Sequence, residues 1–278
     1  MRQLQTIVVV PCFNEAQRLD VDAYLRFADA AARIRLLLVN DGSRDQTLEV
    51  LQRLCALRPE SFDVCNLEQN QGKAEAVRHG VLRASAQGAE YVGYWDADLA
   101  TPLESIFDFC DVLERRADID VVLGSRMQLA GRDIRRRPLR RMLGRGFARV
   151  ASRVIRLPLF DTQCGAKLFR VNERTVSAFQ APFQARWIFD VELLARLSLL
   201  SCEAQRFAHS VYELPLERWH EIPGSKVKPR DFLVAIAELG RIAWQYSRWT
   251  KPSLGSAATI PPTVIRESDV REKQRKAA

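Results

Sequence analysis

Residues 91–98, with the sequence YVGYWDAD, decide the fold because an apolar run of strand length ends there on two aspartates one residue apart. The same arrangement occurs twice upstream, where the apolar runs 6–10 and 36–39 lead into polar residues. Helical stretches separate these runs, and a fourth run follows at residues 120–123. Strands that alternate with helices of this length predict right-handed βαβ units and a parallel sheet, so the fold class is α/β.

The polar residues that follow three of these runs predict a single binding site. They are residues 11–15 (PCFNE), 40–43 (NDGS) and 96–98 (DAD). Ligands of open parallel sheets bind beyond the carboxyl ends of the strands. We therefore expect the three clusters to meet at one edge of the sheet.

Asp96 and Asp98 are candidate metal ligands. Two carboxylates one residue apart at a strand end can both reach a hard cation such as Mg²⁺ or Mn²⁺, which would join them to a diphosphate. Such a cation offsets the charge that develops on a leaving group. The alternative is a pair of turn-capping aspartates, since the D-x-D pattern is common in isolation.

Asp41 and Lys73 are candidate ligands of a nucleotide. Asp41 can accept hydrogen bonds from a ribose hydroxyl or a base N–H, whereas an ordinary strand-to-helix turn would use Ser43 or Asp45 as a helix cap. Lys73 stands where a helix begins, and the free N–H groups of a helix N-terminus favour phosphate. The competing interpretation is that Gly72 only shapes the turn before that helix.

The positive charge of the chain belongs to one segment. The net charge is +8, and residues 132–156 alone contain ten arginines and one aspartate, a net +9. A helix is predicted from Pro138 to about residue 157, with Arg141 and Arg145 in a basic stripe beside apolar positions. This stripe is interpreted as a membrane-binding face or as a solvated helix face. Nucleic acid is not an expected partner, because aromatic residues that could stack on bases are nearly absent from the segment.

The rest of the chain sets the expected domain organisation. Residues 1–230 are predicted to form one domain, with a first half (1–125) that contains the three polar clusters and a second half (126–230) that contains the arginine-rich segment. An amphipathic helix is predicted over residues 231–250, with Ile236 and Leu239 on its apolar face and Glu238 on its polar face. A disordered tail is predicted over residues 251–278, which are rich in charge, proline and serine. No signal peptide and no apolar run of roughly 18 residues is present, and the six cysteines form no C-x-x-C pair, so a cytoplasmic protein is expected.

Several motifs resemble one enzyme family. Residues 6–15 (TIVVVPCFNE), 36–45 (LLLVNDGSRD), 70–77 (NQGKAEAV), 95–99 (WDADL) and 124–126 (GSR) look like the successive motifs of family 2 glycosyltransferases. The resemblance implies the GT-A fold, a Rossmann-like, mainly parallel mixed sheet flanked by helices. It also implies that residues 1–230 are the catalytic domain, with a nucleotide-binding half (1–125) and an acceptor half (126–230). Further motifs are similar to the branch that makes dolichyl- or polyprenyl-phosphate sugars, with β-glucosyltransferases first and mannose synthases second. These are residues 161–169 (DTQCGAKLF), 186–194 (RWIFDVELL) and 213–227 (ELPLERWHEIPGSKV).

The resemblance assigns roles to individual residues. It implies that the nucleotide is bound by Pro11, Phe13, Glu15, Asp41, Lys73, Asp96 and Ala97. It implies that Asp96 and Asp98 hold the metal and the diphosphate. Arg126 would bind phosphate, and Lys167 and Arg218 would line the same pocket.

The expected reaction is an inverting, metal-dependent transfer of a hexose to a polyprenyl phosphate. UDP-glucose is the favoured donor, and GDP-mannose is the alternative. A phosphate monoester has a second pKa of about 6, so it needs positioning by arginines rather than a base. Arg126, Arg141 and Arg145 are expected to hold it at the cytoplasmic face of a membrane, where the enzyme binds peripherally.

The sequence leaves the role of Asp161 open. With a polyprenyl-phosphate acceptor, Asp161 would position Lys167 or the acceptor. With a hydroxyl acceptor, Asp161 or Asp190 could be the base. The third alternative is that Asp161 caps a helix. Asp190 and Glu192 could instead pair with nearby arginines. Rival functions are a family 2 transferase that acts on a soluble or glycan hydroxyl, a sugar nucleotidyltransferase and a non-enzymatic binding module. The nucleotidyltransferase is disfavoured because residues 11–15 contain no glycine.

Overall fold

The computed structural model describes residues 6–201, 204–222 and 229–249. The strands of this part are β1 (Thr6–Cys12), β2 (Ile34–Asp41), β3 (Phe62–Leu67), β4 (Tyr91–Trp95), β5 (Val121–Ser125), β6 (Asp133–Arg135), β7 (Ala166–Arg170), β8 (Val211–Pro215) and β9 (Arg218–His220). Seven of them form one sheet in the order β3-β2-β1-β4-β7-β5-β8, and β6 pairs with β9. Strand β7 runs antiparallel to β4 and β5, whereas the other pairs are parallel. The prediction of a mixed, mainly parallel sheet is confirmed.

Helices cover both faces of the large sheet. They are α1 (Val21–Ala30), α2 (Thr47–Leu57), α3 (Lys73–Ala86), α4 (Ser105–Arg115), α5 (Pro138–Ile155), α6 (Glu173–Gln180), α7 (Phe189–Leu199), α8 (Ala204–His209) and α9 (Pro229–Trp249). Successive residues of a strand point to opposite faces, so β1 contributes to two cores. Val8 and Val10 pack with α1, α2 and α4, whereas Ile7 and Val9 pack with α3, α5, α6, α7 and α9.

Helix α3 comes unusually close to the sheet. A Cβ at Gly80 would lie 2.4 Å from the Cγ1 atom of Val9, so only glycine permits this approach. The contact fixes the helix against β1 and β2 and thereby places Lys73, its first residue, at the carboxyl edge of the sheet.

Two features of α9 differ from expectation. The predicted helix exists, but its buried stripe is formed by Ala235, Glu238, Leu239 and Ile242. Ile236, assigned to the apolar face, is 51% exposed, and the polar residue Glu238 is buried. The assignment was wrong because the Glu238 carboxylate accepts hydrogen bonds from backbone N–H groups that the sequence does not reveal.

Three further expectations concern the ends of the chain and its cysteines. None of the described helices is long and apolar enough to cross a membrane. The cysteines within the described ranges are free thiols. The tail predicted over residues 251–278 lies outside the described residues, as does the end of the 213–227 motif.

Candidate active site

The carboxyl ends of β1 and β2 are joined by hydrogen bonds from the loop that follows β1. The backbone N–H of Asn14 donates to Ser43 Oγ at 3.0 Å, and that of Glu15 donates to Thr47 Oγ1 at 2.8 Å. Asn14 has a left-handed backbone with φ of 53°, which brings these N–H groups toward β2. Pro11, at the end of β1, and Ala97, which accepts a hydrogen bond from Tyr24, lie at the same edge. The predicted convergence of the clusters is therefore observed.

Asp41 holds the loop that precedes α3. Its buried carboxylate accepts the backbone N–H groups of Gln71 at 2.7 Å and Gly72 at 2.9 Å, and the side-chain amide of Asn70 at 2.9 Å. Gly42 is required beside it, because a Cβ there would lie 2.3 Å from the backbone nitrogen of Asn70. Nucleoside binding by Asp41 stays a prediction, and the structure gives this residue a loop-holding role.

Lys73 contacts Asp96 of the pair Asp96 and Asp98, which we name the diaspartate motif. Its Nζ atom lies 2.5 Å from Asp96 Oδ1 and 5.9 Å from the ring centre of Phe189. Burial lowers the pKa of the Lys73 ammonium, but the carboxylates of Asp96 and Asp190 outweigh this effect and the net pKa is raised. Lys73 is thus a charged group at a helix N-terminus beside the predicted metal ligands.

Asp96 lies in a space that only glycine leaves open. Its backbone N–H donates to the carbonyl of Gly165 at 3.1 Å, and a Cβ on Gly165 would lie 1.9 Å from Asp96 Oδ2. Asp98 accepts the backbone N–H of Ala100 at 3.1 Å, so it does cap a turn. Burial raises the pKa of Asp98, and the charge of Asp96 raises it further.

These two carboxylates fit a divalent cation. The two negative charges repel each other, and a divalent cation bound between them would offset this repulsion. Both carboxylates also supply oxygen ligands, which Mg²⁺ and Mn²⁺ prefer. Within the described ranges there is no group of three or more His, Cys, Asp or Glu side chains that could hold a metal. The remaining coordination positions would therefore belong to diphosphate oxygens and water.

A cavity of about 700 Å³ extends from the diaspartate motif toward α5 and α9. Its polar end contains Asp96, Asp98 and the arginines Arg126, Arg136 and Arg140. Its apolar wall is formed by Leu139, Leu143, Phe147, Trp187, Ile188 and Ala235. The cavity therefore joins the predicted metal site to a surface that carries arginines, the carboxylates of Asp161 and Glu221, and apolar side chains.

Arg126 is paired with Asp161. Two guanidinium nitrogens of Arg126 lie 2.6 and 2.7 Å from the two carboxylate oxygens of Asp161, and both side chains are 11% exposed. Burial raises the pKa of Asp161, but the charge and hydrogen bonds of Arg126 outweigh burial and lower that pKa to about 2. The expectation that Asp161 positions Lys167 or caps a helix was wrong, since it pairs with Arg126 and the next element is β7. Arg126 reaches the cavity with its charge largely neutralised.

Arg136 differs from Arg126 in this respect. No hydrogen bond or ion pair to its guanidinium is found among the described residues. Burial and the positive charge of Arg126 lower the pKa of Arg136 to about 10, and burial is the larger of these two causes. Arg140, by contrast, is paired with Glu221 at 2.6 Å. Arg136 is therefore the cavity arginine whose charge is least compensated.

The two helix arginines chosen from the sequence lie elsewhere. Arg141 donates a hydrogen bond to the side chain of Gln128, and Arg145 is exposed. Neither lines the cavity. The basic composition of residues 132–156 indicated an anion-binding segment, but only the fold shows that Arg136 faces the cavity.

Lys167 does not line the cavity either. It is fully buried in β7, where its Nζ atom lies 2.5 Å from Asp190 Oδ1 and 2.6 Å from the carbonyl of Cys164. Tyr94 donates to the same Asp190 oxygen, and burial together with Asp190 raises the pKa of Tyr94. The predicted place of Lys167 in the pocket was wrong. Of the two acids in α7, Glu192 pairs with Arg196 as expected, whereas Asp190 pairs with Lys167.

Comparison with known proteins places the chain in a family. Residues 7–173 match the family model described as "Glycosyl transferase family 2". The chain belongs to glycosyl transferase family 2. It is 31% identical over 262 residues to a dolichyl-phosphate beta-glucosyltransferase of Trichomonas vaginalis, covering 89% of this chain and 74% of that protein. The dolichyl-phosphate beta-glucosyltransferase of Homo sapiens is 33% identical over 243 residues, covering 81% and 70%.

Solved structures confirm the GT-A fold of this glycosyltransferase. Glucosyl-3-phosphoglycerate synthase from Mycobacterium tuberculosis, in complex with Mn²⁺ and UDP-glucose, superposes with a TM-score of 0.55 at 19% identity, covering 90% of this chain and 81% of that one. Mannosyl-3-phosphoglycerate synthase from Rubrobacter xylanophilus gives 0.59 at 13% identity, covering 96% and 80%. The family assignment makes the chain an enzyme.

Arg218 of the family 2 transferase lies outside the main cavity. It is exposed on β9 and lines a second cavity of about 280 Å³ together with Leu99 and His220. The prediction that it shares a pocket with Lys167 and Arg126 was therefore wrong. Its neighbour Trp219 does face the main cavity, where its ring lies 5.3 Å from the guanidinium carbon of Arg126.

Proposed function

We propose that this enzyme transfers glucose from UDP-glucose to a polyprenyl phosphate of the dolichyl type, with Mg²⁺ or Mn²⁺ and with inversion at the anomeric carbon. The names of the curated relatives support the sugar and the acceptor class. The neighbour solved with Mn²⁺ and UDP-glucose supports the donor and the metal.

The observation that carries this proposal is the composition of the main cavity. One end holds Asp96 and Asp98, where the donor diphosphate and a cation would bind. The same cavity also presents Arg136, which makes no ion pair among the described residues, and an apolar wall. An acceptor with one phosphate and a hydrocarbon chain matches both parts, whereas a soluble sugar hydroxyl would leave the arginine and the apolar wall without partners.

The aspartates and the arginine of the cavity have different roles in the proposed reaction. Asp96 and Asp98 would hold the cation, which supplies charge neutralisation to the departing diphosphate. Arg136 would orient the acceptor phosphate, one oxygen of which attacks the anomeric carbon as the bond to UDP breaks. The acceptor phosphate is largely dianionic at neutral pH, so no base is needed. Asp190 is held by Lys167 and Tyr94 and is not placed to serve as one.

The surface around the cavity suits a peripheral enzyme on the cytoplasmic face of a membrane. Large apolar side chains of α5 and α9 are exposed among arginines, namely Leu139, Met142, Val150, Ile236 and Trp244. Leu139, Leu143 and Trp187 both line the cavity and reach solvent. A hydrocarbon chain could thus pass from the cavity into the lipid phase while the arginines contact anionic headgroups.

The test is transfer of label from UDP-glucose or GDP-mannose to polyprenyl phosphate, with Mn²⁺ present and then chelated. We expect metal-dependent label in lipid from UDP-glucose. Arg136→Gln should raise the KM for polyprenyl phosphate about 10- to 100-fold, because it removes a charge-assisted contact. Arg53→Gln, an exposed arginine of α2, is the matched control and should leave that KM unchanged.

Each other outcome has a definite meaning. Label from GDP-mannose alone would replace glucose by mannose. No lipid product from either donor, despite metal-dependent nucleotide binding, would overturn the polyprenyl-phosphate acceptor. An unchanged acceptor KM in Arg136→Gln would remove Arg136 from the acceptor site.

A further inference from the structure

Residues 184–188 have an unusual set of backbone partners, and we name them the clamp segment. The N–H groups of Gln184 and Ala185 donate to Glu192 at 3.0 and 2.7 Å. The next three N–H groups, of residues 186, 187 and 188, donate to Glu238 at 3.0, 3.1 and 3.2 Å. Five consecutive amides are therefore held by two carboxylates.

Both carboxylates are buried, which makes these hydrogen bonds strong. Glu192 is 6% and Glu238 is 5% exposed. A buried charge is tolerated only when hydrogen-bond donors satisfy it, and bonds to a charged acceptor are stronger than neutral ones. The clamp segment also leads into α7, whose N-terminal end favours a nearby negative charge. The position of Glu238 is thus fixed by its partners.

Glu238 comes from α9, so the clamp connects two distant parts of the chain. Glu192 belongs to α7 itself, but Glu238 is about 50 residues away from its three donors. Gln245, also in α9, donates to the side chain of Gln184 at 2.7 Å. Helix α9 is therefore joined to the clamp segment by polar contacts as well as by packing on α5 and α7.

The clamp segment lines the main cavity and lies near the loop that precedes α3. Trp187 and Ile188 form part of the apolar wall. The guanidinium of Arg186 lies 3.9 Å from the place that a Cβ of Gly72 would occupy, beside the loop that leads to Lys73. A shift of the segment would therefore move two residues of this wall.

We propose that Glu238 is a positioning residue for the acceptor: it holds the amides of residues 186–188 so that Trp187 and Ile188 form the wall against which the hydrocarbon chain packs. Through this carboxylate, α9 contributes to acceptor binding without contacting the reacting atoms. The identity of the acceptor rests on the function proposed above, whereas the clamp itself does not.

The experiment compares Glu238→Gln with Glu173→Gln, an exposed glutamate of α6, in the full chain. Two quantities are measured: amide hydrogen exchange over residues 184–188, and the KM values for polyprenyl phosphate and UDP-glucose. We expect Glu238→Gln to speed exchange at residues 186–188 and to raise the acceptor KM about tenfold, with the donor KM within about twofold. Glu173→Gln should change neither quantity.

A second variant tests the wall directly. Trp187→Ala leaves Glu238 in place and removes a side chain that is 40% exposed, so the fold should survive. We expect the same selective rise in acceptor KM. Faster exchange in Glu238→Gln with an unchanged acceptor KM, or an unchanged acceptor KM in Trp187→Ala, would overturn the positioning role.

The two proposals fail in distinguishable ways. If the unaltered enzyme makes no lipid product, the acceptor proposal is lost, and the exchange data alone decide whether Glu238 holds the segment. If lipid product forms but both KM values of Glu238→Gln change together, the residue supports the fold in general and the inference fails.

Discussion

Gly165→Ala changes one hydrogen into a methyl group directly against the predicted metal site. The new Cβ would lie 1.9 Å from Asp96 Oδ2 and 2.2 Å from Asp96 Cγ, whereas real Cβ contacts essentially never fall below 3.0 Å. The Oδ2 atom must therefore retreat by about 1.1 Å. The ion pair of Asp96 with Lys73, now 2.5 Å long, would be disturbed by the same movement.

The fold should tolerate this change. Gly165 does not require a left-handed backbone, and the clashing atoms belong to a side chain that is 36% exposed rather than to the backbone. A misplacement of about 1 Å in a catalytic group can lower the rate about 100-fold, which corresponds to about 2.7 kcal/mol of transition-state stabilisation. We therefore expect kcat/KM for UDP-glucose to fall about 100-fold, while the free energy of unfolding changes by less than about 1 kcal/mol.

The assay is turnover of UDP-glucose as a function of Mn²⁺ concentration, together with urea unfolding. Gly240→Ala is the control, because nothing lies within 4 Å of a Cβ at that exposed helical position. It should leave kcat/KM unchanged. A Gly165→Ala enzyme that keeps more than half of its kcat/KM would refute the idea that Asp96 must stay where the glycine allows it.

Two further predictions concern buried charges. Lys167→Met should lower the free energy of unfolding by about 3–5 kcal/mol, because it leaves Asp190 buried without its cation. Urea unfolding measures this loss, and the double variant Lys167→Met/Asp190→Leu should recover most of it. A loss below about 1 kcal/mol in Lys167→Met would contradict the prediction. Arg126 lowers the pKa of Asp161 from 3.8 to about 2, so this pair stabilises the fold above pH 3.8 and the contribution disappears as the pH falls toward 2. The stability difference between the unaltered protein and Asp161→Asn should therefore shrink by about 2 kcal/mol over that interval, and a pH-independent difference would contradict the ion pair.

The sequence predicts the donor side of the site well, because its signals are local. Apolar runs that end in polar clusters identified β1, β2, β4 and the edge where they meet. Strand β3 was missed because it lies at the edge of the sheet, where its polar residues remain half-exposed. Strand β7 was missed because it is short and carries Lys167, and a lysine is normally a sign of exposure.

The acceptor side depends on contacts between residues far apart in the chain. Arg126 and Asp161 are 35 residues apart, and nothing in either motif indicates that they neutralise each other. Glu238 occupies a helical position that periodicity assigns to the solvent. Its three backbone donors become visible only once α9 and the clamp segment are brought together. Ion pairs and hydrogen bonds between residues that are far apart in the chain give no periodic signal in the sequence.

Strand β7 also has a consequence for how the protein is made. Because β7 lies between β4 and β5, the centre of the sheet stays incomplete on the ribosome until residue 170 has left the exit tunnel. At about 5–20 residues per second, the interval between the synthesis of β4 and that of β7 lasts on the order of 4 to 14 seconds. During that time one edge of β4 lacks its partner strand and is open to pairing with another chain.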